Sequence, residues 1–230
     1  MYSRRLNGNI HTFGVTGKLW RNALVMYDHQ TGAFWSHFTG EAILGPEQGA
    51  RLRMLTSLPR VRWKEWRAEH PETLILSVGG REDEEEDTYD DYHRSGRTGL
   101  FAPERRDRRL KVKERVVGVL VGDRAKAYPL KAFKEKSILQ DDVSDTPVLV
   151  FHDREALASA VYVRRAEDGS VLSFPHPPQG HRITDGAGRT WNLLTGRGDG
   201  GAQLRQLPHV NAYWFAWADF HPDTDLFSLK

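Results

Sequence analysis

One pattern stands twice in this chain. Trp63-Lys64-Glu65-Trp66-Arg67-Ala68-Glu69-His70-Pro71-Glu72-Thr73 and Trp214-Phe215-Ala216-Trp217-Ala218-Asp219-Phe220-His221-Pro222-Asp223-Thr224 both read W-x-x-W-x-x-x-H-P-[DE]-T. An apolar run follows each of them. Two tryptophans at i and i+3 with a histidine at i+7 share one face of a helix, and the following proline stops it. A repeat of this kind means one structural unit built twice, so whatever one half folds into, the other is expected to echo.

The match continues upstream. Trp35-Ser36-His37-Phe38-Thr39-Gly40 faces Trp191-Asn192-Leu193-Leu194-Thr195-Gly196, and Asp28 and Gly32 face Asp185 and Gly188. Tyr2-Ser3-Arg4-Arg5, Gly8 and Phe13 face Tyr162-Val163-Arg164-Arg165, Gly169 and Phe174. Leu52, Leu55 and Pro59 face Leu204, Leu207 and Pro208 with slipped spacing. The second copy reaches further forward, through apolar runs at 116–121, 125–130 and 146–151 that read as strands. Nothing ahead of Tyr2 corresponds to them. The expected organisation is the C-terminal part of repeat 1 at 1–78, a charged linker at 79–115 and repeat 2 at 116–230, with the two copies packed as one globular unit. The first copy is expected to be truncated at its N-terminus.

Locally, Asn7-Gly8 and Thr31-Gly32 read as tight turns between short strands. Strands are expected at 24–27, 33–37 and 73–76, with helices at 59–69, opened by Pro59, and near 130–136. Both Trp pairs are expected to dock their helices into a core. This order gives a β-rich α+β fold, an internal duplication of a strand–turn–strand–helix unit.

Composition excludes several functions. A chain of 230 residues with 39% hydrophobic content can bury a real core, and its 33 basic and 31 acidic residues nearly cancel at +2. Zero cysteines removes disulfides, thiol nucleophiles and cysteine-bound metals. No apolar leader core opens the chain, and no run approaches the ~20 apolar residues of a membrane span. The expected location is cytoplasmic as the sequence stands, or exported if the true N-terminus lies upstream. The acidic run Glu82-Asp83-Glu84-Glu85-Glu86-Asp87 lacks the spacing of a calcium loop. The basic stretch from Arg105 to Arg115 lacks interleaved aromatics for base stacking, so no nucleic acid is expected as a partner. Phosphate-loop, dinucleotide, zinc-protease and nucleophile-elbow motifs are all missing.

The residue types that carry chemistry form three groups. Asp28, His29 and His37 sit on neighbouring strands and are candidate ligands for a divalent metal ion, since imidazole and carboxylate suit such ions. His37 is replaced by Leu193 in the second copy, so such a site would belong to the first copy alone. His70 and His221, one from each copy, are a weaker candidate pair. The plainer reading is that His-Pro closes each helix. His152, Asp153, Arg154 and Glu155 follow a buried strand, where loop side chains can act as acid, base or ligand; a polar turn is the simpler account.

The chain resembles the bacterial and archaeal family known as domain of unknown function 3179. The resemblance rests on Thr12-Phe13-Gly14-Val15-Thr16-Gly17, Leu24-Val25-Met26-Tyr27-Asp28, Thr39-Gly40-Glu41-Ala42-Ile43, Ala125-Lys126-Ala127-Tyr128-Pro129-Leu130 and the closing Phe220-His221-Pro222-Asp223-Thr224. It covers essentially the whole chain. It implies a Cys-Pro-Leu-Cys segment and a Trp-His-Glu segment in the front of the first repeat, suited to redox or metal chemistry. Neither is present. At the matching places of the second copy stand Phe151-His152-Asp153-Arg154-Glu155 and Glu135-Lys136-Ser137.

Two functions follow as expectations. The first is a non-catalytic binding or structural module of this family without its Cys-x-x-Cys segment. The alternative is a metal- or redox-dependent enzyme using the His/Asp cluster of repeat 1. A first copy with an uncovered strand edge also leads one to expect a homodimer through that edge.

Overall fold

The structure is a computed structural model that describes residues 1–57, 61–76, 89–134 and 136–228. The chain opens with a two-residue hairpin, β1 (Arg5–Leu6) and β2 (Asn9–Ile10). Asn7 and Gly8 between them both take positive φ, the geometry that lets a two-residue turn follow strand twist. An antiparallel sheet follows in the order β3 (Phe13–Trp20), β4 (Ala23–Asp28), β5 (Phe34–Ser36), β6 (Ala42–Leu44). Trp35 on β5 is fully buried against Leu6, Ala33, Ala42 and Leu52, which makes the first core. Helix α1 (Trp63–Glu69) and the short helix α2 (Asp90–Arg94) come next.

The rest of the chain carries two further main sheets. One has the order β14 (His209–Tyr213), β7 (Arg115–Val121), β8 (Arg124–Pro129), β15 (Asp225–Leu226). The other stacks β9 (Ile138–Val143), β10 (Thr146–Asp153) and β11 (Ala158–Val163). A small hairpin, β12 (Arg182–Thr184) with β13 (Thr190–Asn192), buries Trp191. Helix α3 (Trp214–Phe220) lies against the first of these sheets. Trp214 and Trp217 pack there against Val116 and Ala127. Gly118 makes this possible: a Cβ at that position would come within 2.2 Å of the Trp217 ring. The fold is thus β-rich with few helices.

Several local expectations change. Thr73-Leu74-Ile75-Leu76 is not a strand; Leu74 is 93% exposed and Leu76 90%. Its counterpart Asp225–Leu226 is a strand because β8 lies beside it in parallel register. No strand among the described residues offers 73–76 the same partner. For the same reason α1 buries none of its residues and Trp63 is largely exposed, while α3 is buried over most of its length. Helix α1 begins at Trp63, and Pro59 lies outside the described residues. The helix expected near 130–136 is a single 3-10 turn, Leu130–Phe133. Glu135 and the acidic run 82–87 also lie outside the described residues.

The charged connection is not merely solvated. Over 89–115 it is fastened to the body. Both oxygens of the buried Asp219 carboxylate accept backbone N–H groups, from Glu104 at 3.2 Å and Arg105 at 3.0 Å. Phe101 and Asn22 exchange two hydrogen bonds. Arg109 donates to the Thr224 carbonyl and lies 5.2 Å from the Trp214 ring centroid. The early and late parts of the chain also touch directly. Phe38 stacks on Phe220 at 4.5 Å, Arg21 donates to the Asp219 carbonyl, and Ser57 Oγ accepts the His209 N–H at 2.8 Å.

A methyl group at residue 118 has no room that Trp217 can vacate without leaving its core. Gly118→Ala is expected to cost about 2–4 kcal/mol in urea unfolding, where Gly122→Ala, strained only by its positive φ, costs about 1 kcal/mol.

Candidate functional site

The first expected cluster does not assemble. Asp28 is fully buried, and its two oxygens are already engaged. They accept the Thr31 N–H at 2.6 Å, the Thr31 hydroxyl at 2.7 Å and the Trp35 indole N–H at 2.9 Å. Burial pushes its pKa up, but the bonds from Trp35 and Thr31 outweigh burial and hold it at about 2. His37 donates from Nδ1 to the Leu24 carbonyl at 2.8 Å, since a carbonyl can only accept. His29 packs against Tyr27. Among the described residues no three His, Asp or Glu side chains converge as a metal site.

His70 and His221 do not meet either. Each closes its helix, its backbone N–H donating to the carbonyl of Trp66 or Trp217 at 2.9 Å. Each ring then lies over that tryptophan, at 4.3 and 4.2 Å. His221 is further enclosed by Phe38, and burial lowers its pKa to about 4. His70 instead borders a depression of about 280 Å³ with Glu69, Arg182, Arg197 and Asp199.

The polar loop splits in two, because neighbouring strand residues point to opposite faces. Asp153 turns to one side, where Oδ2 pairs with His181 Nε2 at 3.1 Å and Oδ1 accepts the N–H groups of Glu155 and Ala156. Glu155 is exposed. His152 turns to the other side, buried, with Nδ1 held by the Ala158 carbonyl at 3.0 Å and by Ser159 Oγ at 2.9 Å. The carbonyl puts the hydrogen on Nδ1 and leaves Nε2 as the ring's acceptor.

His152 borders a cleft of about 700 Å³. Three stretches of chain build it. The early half supplies 22–24, His37 and Phe38; the connection supplies Tyr92 and His93; the late half supplies the rest. The same cleft is bordered by Lys131 in the 3-10 turn, Lys134 just after it, and Arg154 one step beyond the strand. Arg115 enters from β7. Burial lowers the His152 pKa below the ordinary imidazole value, and the Arg154 and Arg115 charges act in the same direction.

A second set of lining residues is aromatic. Tyr213 sits opposite Arg115 in the β14–β7 ladder, and the guanidinium lies 5.9 Å from its ring centroid. His93 Nδ1 is 2.9 Å from the Tyr213 hydroxyl, Tyr92 meets the same ring edge-on, and Phe215 stacks with it. Lys113 lies over Tyr92 and contacts its carbonyl, holding α2 against the body.

A family model described as Protein of unknown function (DUF3179) matches residues 1–224. The chain belongs to this family. No curated protein and no solved structure matches it. This DUF3179 chain has no cysteine, so the Cys-Pro-Leu-Cys segment implied by the resemblance has no place in it. The membership assigns no reaction, and no helix among the described residues is long and apolar enough to cross a membrane.

Sequence reasoning about this DUF3179 chain singled out His37, His152 and Arg154 but missed the company they keep. Tyr92, His93, Arg115, Lys131, Lys134 and Tyr213 have no shared spacing that could have linked them. One signal was available: a Tyr-His pair inside the charged connection is out of place in a purely solvated linker.

His221 gives a pH test. Its folded pKa lies near 4, below the ordinary 6.5, so between those values the unfolded chain binds more protons than the folded one. Stability from this residue is therefore complete above pH 6.5 and is lost as pH falls toward 4. Histidine NMR is expected to show His221 titrating near pH 4, and a His221→Asn variant to show a shallower loss of stability over that window.

Proposed function

We propose that this DUF3179 chain is a non-catalytic binding module, built from two copies of one unit, with its ligand site in the large cleft. The duplication draws support from paired bonds at corresponding places. The Trp35–Asp28 bond has its like in Trp191–Asp185, each 2.9 Å. Trp66 donates to Thr73 at 3.0 Å, and Trp217 to Thr224 at 2.9 Å. Leu52 N–H reaches the Gly40 carbonyl, and Leu204 N–H the Gly196 carbonyl, both at 2.9 Å. Unrelated segments have no reason to repeat side-chain bonds at the same offsets.

The observation that carries the binding reading is the make-up of the cleft. Both halves and the connection contribute to one concavity of a size that encloses a small molecule. Such sites form where separately folded pieces meet, because surfaces packed at their rims leave space between. The cleft combines aromatic faces with a few convergent polar groups, the usual mixture for orienting a ligand. Among the described residues its lining holds no carboxylate, and the chain has no thiol, which removes two of the usual nucleophiles and favours binding over turnover.

A metabolite library screened by thermal shift is expected to yield ligands that raise the Tm of the wild-type chain and are recovered chemically unchanged. Ala216→Trp, which fills the cleft from α3, is expected to abolish the shift while leaving the unliganded Tm within a few degrees of wild type. Conversion of the ligand, or shifts that survive Ala216→Trp, would overturn this reading. Elemental analysis separates it from the metal-enzyme alternative: stoichiometric transition metal in protein purified without chelator, lost in His37→Ala, would favour the latter.

A further inference from the structure

We infer that the cleft's ligand is a small polyanion, carrying two or more phosphate or carboxylate groups against a flat or apolar body. This rests on the cleft being a binding site and names what it takes. Arg115, Lys131, Lys134 and Arg154 all border it, and no Asp or Glu does among the described residues. The contrast with the rest of the surface is informative. Arg21, Arg51, Arg94, Arg109, Lys126 and Arg164 are each within 4 Å of a carboxylate. None of the four cleft cations has such an ion pair among the described residues.

Four like charges on exposed residues border one concavity, so an anion that enters it is attracted by all of them. They also come from separate elements: Arg115 from the start of β7, Lys131 and Lys134 from the turn after β8, Arg154 from beyond β10. Tertiary folding, not a run of basic residues, brings them together. His152 borders the same cleft, and among the described residues its Nε2 has no hydrogen-bond partner.

The aromatic lining bears on the ligand's size and shape. Tyr92, Tyr213, Phe215 and Phe38 present apolar and aromatic surface beside the cations, and Arg115 adjoins Tyr213 across the β14–β7 pair. A ligand of charge alone would leave this surface wet. A nucleic acid chain needs a track along which several bases stack in succession, whereas a cleft of about 700 Å³ has the size of a small-molecule site. A small molecule with an anionic end and a flat or apolar body matches both kinds of lining residue.

Calorimetric titration of the full chain tests this with pyrophosphate, adenosine diphosphate and citrate as probes. Adenosine and triethyl citrate serve as their neutral counterparts, and a single-stranded oligonucleotide as the polymeric one. At least one polyanion is expected to bind, more weakly as salt rises, with its neutral counterpart showing no binding. Which of the phosphates or citrate binds more tightly separates the two oxyanion sources. Arg154→Gln and the pair Lys131→Gln with Lys134→Gln are each expected to weaken binding about tenfold while leaving the unliganded Tm unchanged. Binding of none of the polyanions, equal binding of a neutral counterpart, unchanged affinity in these variants, or preference for the oligonucleotide would overturn the inference. If neutral molecules bind and Ala216→Trp blocks them, the cleft remains the site and only the ligand class falls. If polyanions bind and Ala216→Trp has no effect, the cleft reading falls with it.

Discussion

A buried carboxylate holding a buried indole is the interaction around which each half of this chain is organised. An unpaired carboxylate in a protein interior costs several kcal/mol, so it persists only where its lone pairs are filled. Asp28 fills them from Thr31 and Trp35; Asp185 fills them from Ala187, Arg189 and Trp191. In both cases the donors lie within the same turn, so the bond sets the hairpin's shape and orients the tryptophan at once. The chain then reverses at Thr39-Gly40 or Thr195-Gly196. Both glycines take positive φ, and a Cβ on either would collide with the ring of Tyr2 or Tyr162. The carboxylate, the indole, the glycine and the tyrosine therefore form one packed unit in each half.

The halves diverge where their surroundings differ. Helix α3 lies on a four-stranded sheet whose Gly118 admits Trp217, and it is almost wholly buried. Helix α1 has the same tryptophan spacing, the same cap and the same indole–threonine bond, yet its face is open. Identical local bonds thus coexist with opposite burial. What separates them is the neighbouring sheet together with the helix's own residues: α1 has Lys64, Glu65, Arg67 and Glu69 where α3 has Phe215, Ala216, Ala218 and Phe220. The first core also holds a buried polar ring: His11 approaches Asp28 at 3.6 Å.

Strands with clear turn signals were legible. Asn7-Gly8 and the runs around β4, β5, β7, β8 and β10 carry their own evidence. β9 and β11 were not recognised. β9 holds Asp141 and Asp142 in mid-strand, and only the fold shows that Asp141 is matched by the Tyr128 hydroxyl and Lys126. β11 is buried on both faces, so it lacks the alternation that marks a half-exposed strand. The candidate site was legible only in fragments. His37, His152 and Arg154 drew notice for their chemistry, but the reasons first given for them, a hairpin metal cluster and a loop of acids and bases, dissolve once strand faces are assigned.

By itself the sequence determined that two stretches carry the same W-x-x-W-x-x-x-H-P-[DE]-T spacing, that cysteine chemistry is absent, and where several tight turns fall; it did not determine that only the second tryptophan pair is buried. These are consequences of residue type and short spacing, which act over one turn or one hairpin. Tertiary structure alone decided which histidines remain bound to neighbouring carbonyls, that the connection is fastened to Asp219, and that four cations share one cleft. Those outcomes depend on contacts between residues far apart in the chain, and their energies arise only when both partners have been brought to the same place.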